Sequence, residues 1–223
     1  MLAGVDEAGR GCAIGPLVMC IAVMKKSELE ELSNWEVKDS KLISPKKRKT
    51  IYDLLIKNIK YKVKIIKPKE IDQSLKSRFY NLNWLEADIS AELTNTMLEE
   101  LEIKKIILDC PSNNIDAYTD YFEKKLTKKI KILAEHKADL NYPIVSAASI
   151  IAKVTRDKII EDIQIKNKVK FGSGYTSDSR TRAFLKEWYI RHRKFPDFVR
   201  KRWKTVSNIM YEVDQKKIDS FFD

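Results

Sequence analysis

The chain of 223 residues carries 43 Lys+Arg against 32 Asp+Glu, a net charge of +11 and a pI of about 9.4, with 43% hydrophobic residues. That length supports one large domain or two small ones around a sizeable core, and the hydrophobic share excludes a disordered chain. No apolar run approaches bilayer length and the N-terminus lacks a secretory signal, so a cytoplasmic monomer with no membrane contact is expected.

Predicted elements follow in chain order. Met1 to Val5 is a short apolar run, and Ile14 to Met24 is a second, rich in Val, Ile and Met. A glycine-punctuated turn joins them, so they read as a hairpin. Ser44-Pro45 reads as the N-cap and first turn of a helix, in which Ile51, Leu54, Leu55 and Ile59 recur at helical spacing. Tyr61 to Ile66 alternates like a strand. Between Asn83 and Leu101, the apolar residues Leu85, Ile89, Leu93, Met97 and Leu101 fall four apart, a helical stripe. Ile106 to Leu108 form a strand ending at Asp109, and a strand through Ile132 and Leu133 is followed by polar residues to Asp139. Ser146 is the expected cap of a helix whose Ala148, Ala152, Thr155, Ile159 and Ile163 share a face. The loop "GSGYTSD", residues 172 to 178, leads into a basic helical tail. A hairpin followed by alternating strands and helices is the pattern of an α/β domain with a mixed sheet.

Three of these strands deliver acids at or just beyond their carboxyl ends: Asp6 with Glu7, then Asp109, then Asp139. In open α/β sheets that edge is where ligands bind. Four bare carboxylates gathered there would raise one another's pKa until some took protons, unless a cation intervened. Hard divalent ions prefer such oxygens, and a pair of them suits in-line attack of water on a phosphodiester. Strand-end acids also cap turns, and spacing alone leaves both possibilities open.

Charge and loop chemistry favour the first. From Arg180 to Lys204 ten basic residues face only Glu187 and Asp197, which leaves +8 in 25 residues. That concentration suits a phosphate backbone, whereas the interleaved aromatics (Phe184, Trp188, Tyr189, Phe195, Phe198 and Trp203) read mainly as a core stripe. In "GRG", Gly9 and Gly11 let the backbone approach a sugar closely and Arg10 can pair with a phosphate. A ribose 2′-OH can be read by such backbone groups without reading the base. Cys12, Cys20 and Cys110 fit neither a disulfide framework nor a zinc site; Cys110, beside Asp109, invites a nucleophile reading but is expected as a small core residue.

Taken in order, "DEAGRG", "KDSK", "LDC", "AEHKAD...YPIVSAASIIAKVTRD" and "GSGYTSD" resemble ribonuclease HII of the archaeal type, over residues 2 to about 205. The resemblance implies a ribonuclease H-like mixed central sheet flanked by helices, with a helical C-terminal extension. It divides the chain into a catalytic domain over 1–170, a basic extension over 171–210 and a tail over 211–223. The implied activity is hydrolysis of the RNA strand of RNA–DNA hybrids and cutting 5′ of ribonucleotides embedded in duplex DNA. It uses two divalent ions, Mn2+ or Mg2+, and leaves 3′-OH and 5′-phosphate ends. By motif, Asp6, Glu7, Asp109 and Asp139 are the implied metal-binding catalytic carboxylates. Gly9, Arg10 and Gly11 are the implied 2′-OH sensor, Tyr175 the residue stacking on the next, deoxy sugar, and Lys41 a phosphate contact. Cys12 and Thr176 stand where the family often has proline, which is expected to loosen both loops and weaken junction preference. Finally, Gln215, Ile218, Phe221 and Phe222 are similar to a sliding-clamp-binding box, one helical turn that would plug Ile218 and Phe222 into an apolar pocket.

Overall fold

Five strands form one sheet in the order β3-β2-β1-β4-β5. In the computed structural model, which describes residues 1–35, 37 and 43–219 (side chains of 216–219 excepted), these are β1 (Leu2–Ala8), β2 (Leu17–Met24), β3 (Lys60–Ile66), β4 (Lys105–Asp109) and β5 (Lys131–Glu135). The hairpin expected at the start is present: β1 pairs antiparallel with β2 from Leu2↔Met24 to Ala8↔Val18. On its other side β1 runs parallel to β4, and β4 parallel to β5, so the sheet is mixed. All eight residues of β2 are buried, which is why it reads as an unbroken apolar run and not as an alternating one.

The described helices are α1 (Leu29–Asn34), α2 (Pro45–Asn58), α3 (Pro68–Ser74), α4 (Leu82–Glu100), α5 (Ile115–Glu123), α6 (Ala138–Asn141), α7 (Pro143–Asn167), α8 (Ser179–His192) and α9 (Lys204–Asp219). Ser44 caps α2 by accepting from the Lys47 amide at 3.3 Å, with Pro45 in the first position, as the sequence indicates. The four-apart stripe on α4 is buried through Leu85, Ile89, Leu93 and Met97. Helix α7 begins four residues earlier than expected. Pro143 opens it, and Ser146 lies inside it as a fully buried residue whose hydroxyl donates to the Val37 carbonyl. A tertiary acceptor has taken the serine that a local reading assigns to a cap. Gly4 of β1 admits the first turn of α7, since a Cβ there would lie 2.7 Å from the Ile144 carbonyl carbon and the Val145 nitrogen.

The chain divides into two compact units. The first comprises Met1–Ala8, Val18–Ile65 and Phe79–Thr155 and holds the sheet. The second comprises Gly9–Leu17, Ile66–Arg78 and Arg156–Asp223. Its core contains Ile14, Phe171, Leu185, Val199 and Val206, with Phe184, Trp188, Phe198 and Trp203 packed against it. Complete burial of Ile14 alone contributes on the order of 1.5–3 kcal/mol. The aromatics between Phe184 and Trp203 are therefore core, as expected. Ion pairing also ties α8 to α9: Tyr189 Oη and Arg193 Nη1 each donate to Asp214 at 3.0 Å. Among the described residues no helix is long and apolar enough to cross a membrane.

Candidate active site

Strand β1 carries Asp6 and Glu7 near its carboxyl end, and β4 ends on Asp109. Parallel pairing of β1 with β4 stops at Val5↔Leu108, one residue short of both acids, so the strands present these carboxylates from adjacent ends. Carboxylate oxygens of Asp6, Glu7 and Asp109 all lie within 4.8 Å of one another. Consecutive strand residues ordinarily face opposite ways. Here the Asp6 carboxylate curls over its own backbone, accepting from the Glu7 amide at 2.7 Å.

Asp6 is buried, at 4% exposure. Burial first, then the charges of Glu7 and Asp109, push its carboxyl well above the ordinary 3.8. The Ser149 hydroxyl and the Glu7 amide, both donating to it, pull the other way. Burial likewise raises the Cys20 and Cys110 thiols, with the Cys110 Sγ donating to the Ser112 carbonyl at 3.6 Å. All three cysteines are buried thiols, and Cys110 is the core residue expected.

Asp139 stands outside the group of three within 4.8 Å. Strand β5 stops at Glu135, and Lys137, in the left-handed region at φ 56, turns the chain into the short helix α6, where Asp139 is buried at 1% exposure. The residue before it, Ala138, donates its amide to Asp109 Oδ1 at 3.0 Å, which fixes the α6 segment to the end of β4. The structure thus gathers three acids tightly and buries the fourth one residue from a bond to them.

The second unit holds the glycine loop. Gly9 lies at φ +88, and a Cβ there would strike the Arg156 side chain and come 2.7 Å from the Pro16 carbonyl oxygen. By contrast, a Cβ on the exposed Gly11 would meet nothing within 4 Å among the described residues. Arg200, counted above among the phosphate-facing cations, is instead fully buried. Its guanidinium donates to the carbonyls of Gly9 (2.6 Å), Arg10 (2.9 Å) and Gly15 (3.1 Å). Arg156, also fully buried, donates to the carbonyls of Ile14 (3.1 Å) and Ser173 (3.3 Å). Local reading missed both arginines; a guanidinium is buried only when carbonyls from distant segments surround it, and no periodicity records that.

Tyr175 is half-buried and forms an antiparallel bridge with Cys12. Hydrogen bonds hold the segments around Cys12 and Thr176, where loosening is expected. Gly174 accepts from the amides of Ala13 (2.9 Å) and Ile14 (3.2 Å), and the Thr176 carbonyl accepts from Arg182 at 2.8 Å. Asp178 accepts from the Ser173 amide and hydroxyl, each at 2.9 Å, and caps α8 through the Arg180 amide at 3.0 Å. Lys41, Phe221 and Phe222 lie outside the described residues, as does the side chain of Ile218, while Gln215 lies on α9 and is half-buried.

Known proteins with this arrangement are similar along nearly the whole chain. The family model described as Ribonuclease HII matches residues 3–206. Ribonuclease HII of Pyrococcus furiosus is 42% identical over 99% of this chain and 98% of its own length. The crystal structure of ribonuclease H2 from Pyrococcus horikoshii superposes with a TM-score of 0.87 at 40% identity, covering 96% of this chain and 99% of that one. A structure of the PCNA:RNase HII complex from Archaeoglobus fulgidus gives 0.84 at 38% identity, covering 94% and 96%. The mixed sheet with its helical C-terminal region is the ribonuclease H-like fold, and a triad of acids at its strand ends suits a hydrolase of phosphodiesters: the chain belongs to the ribonuclease HII family, enzymes that cleave RNA in RNA–DNA hybrids.

Proposed function

We propose that this enzyme also cuts duplex DNA 5′ of embedded ribonucleotides, serving ribonucleotide excision repair and DNA replication, with two divalent ions, Mn2+ or Mg2+, held by Asp6, Glu7, Asp109 and Asp139. It leaves 3′-OH and 5′-phosphate ends. One observation carries this reading: three carboxylates within 4.8 Å, one of them buried and pushed away from ionisation. Such a set is poorly tolerated as bare anions and chemically suited to hard cations. When bound, the ions supply Lewis-acid stabilisation of charge building on the phosphodiester. Ser149 and the Ala138 amide hold Asp6 and Asp109 in place for that task.

Gly9, Arg10 and Gly11 sense the ribose 2′-OH. Open space over Gly11 supports that role, because nothing among the described residues calls for glycine there. Arg10 and Lys41 pair with phosphates, and Tyr175 stacks on the following deoxy sugar. Segment 171–210 serves as a basic docking extension to the catalytic domain over 1–170. The tail over 211–223 engages a sliding clamp through Gln215, Ile218, Phe221 and Phe222. A relative 38% identical to this chain was solved as a complex with PCNA, which supports the clamp reading.

Cleavage of a duplex carrying one ribonucleotide, assayed with Mg2+, with Mn2+ and with chelator, tests the proposal. Cutting 5′ of the ribonucleotide in either metal and none in chelator is expected. Asp109→Asn should lower the rate by about 10³-fold or more while the duplex still binds, since several kcal/mol of charge stabilisation are removed. Metal-independent cleavage, or full activity of that variant, would refute it.

A further inference from the structure

Cys12 makes specific contacts with the residue proposed to read the junction. Its backbone bridges Tyr175. Cys12 is fully buried, and its thiol is hydrogen-bonded to the Tyr175 hydroxyl. On the ring face the Arg156 guanidinium sits 5.0 Å from the centroid, within cation–π range. Main chain, hydroxyl and ring are thus each held, and two of the three holds come from one cysteine. Burial, reinforced by Cys12, pushes the Tyr175 hydroxyl up to about 12.

We infer that Cys12 is a positioning residue for Tyr175: its thiol fixes the tilt of the phenol ring and thereby sets how strongly the enzyme prefers a single embedded ribonucleotide to a long hybrid. This rests on the junction role proposed for Tyr175. A ring tethered at its hydroxyl cannot swing about its side-chain torsions, so its stacking surface is pre-organised for the sugar. A thiol is a weak acceptor, so the effect is modest and graded, unlike loss of the ring itself.

The test compares kcat/KM on a single-ribonucleotide duplex with kcat/KM on a long hybrid, for Cys12→Ala, Cys12→Ser, Tyr175→Phe, Tyr175→Ala and the double variant Cys12→Ala/Tyr175→Phe. Circular dichroism verifies folding of each. Cys12→Ala and Tyr175→Phe should each lower the ratio about three- to tenfold, the scale of one hydrogen bond. The double variant should fall no further, and Cys12→Ser, which keeps an acceptor, should retain most of the preference. A ratio unchanged in Cys12→Ala but reduced in Tyr175→Ala overturns the inference alone, as would additive losses in the double variant. A ratio unchanged in Tyr175→Ala overturns the junction role and the inference with it.

Discussion

At the scale of single residues, burial and function pull against each other. Asp6 has a folded-state pKa raised by desolvation and by two like-charged neighbours. A raised carboxylate pKa means that folding is penalised above the unfolded value near 3.8 and that the penalty disappears below it. Asp6→Asn is therefore expected to raise the Tm of the metal-free protein at pH 7, by ~3 °C per kcal/mol relieved, while abolishing cleavage. Repeating the thermal scan below pH 4 should erase the gain. The glycine loop gives an opposite pair. Gly9→Ala meets both a left-handed backbone and the Arg156 side chain, so it should lower stability by about 1–3 kcal/mol in denaturant titration. Gly11→Ala has room, so its Tm should move by less than ~2 °C while KM for ribonucleotide-containing duplex rises. That contrast separates a glycine that the fold itself requires, whatever its ligand role, from one kept for a ligand alone.

Elements were legible where the determinant was local. The β1–β2 hairpin, the Ser44 cap of α2, the buried stripe of α4 and the strand ending on Asp109 all follow from patterns a few residues long. Three features of the site depend on partners remote in sequence and were not legible. Ser146 serves Val37 and not the α7 N-terminus. Asp139 rides on a helical turn entered through a left-handed Lys137, a conformation with no sequence signature in a lysine. Arg200 is buried by carbonyls from the chain's beginning. At this scale the loop before α8 offers its own prediction. Asp178 is held far below the usual carboxylate range, first by the Ser173 amide and then by Arg180. For a depressed carboxylate the stabilisation is complete above the unfolded pKa and fades as pH falls toward the folded one. Loop 172–178 and the first turn of α8 should therefore loosen only below about pH 4, read as amide exchange. Asp178→Ala should reproduce that loosening at neutral pH, with a cost of about 1–2 kcal/mol for the lost cap.

Across the whole molecule the +11 charge governs encounter with nucleic acid, because its excess is concentrated between Arg180 and Lys204. Hybrid affinity should fall steeply with salt, by ~10²–10³-fold between ~50 and ~200 mM. Not every cation in that segment contributes. Arg202 is exposed, and Arg202→Ala should reduce the slope of log K against log salt by about 1 without altering the Tm. Arg200→Ala should instead lower the Tm and distort the glycine loop, since its three carbonyl partners lose their donor. Besides facing the Trp203 ring at 5.0 Å, that guanidinium holds main-chain oxygens of the loop, 190 residues away in the case of Arg10, and a bond to a carbonyl is available whatever side chain that residue carries. An engineer could thus exchange the side chain at position 10 to recruit a different sugar or backbone chemistry and keep those three anchoring bonds.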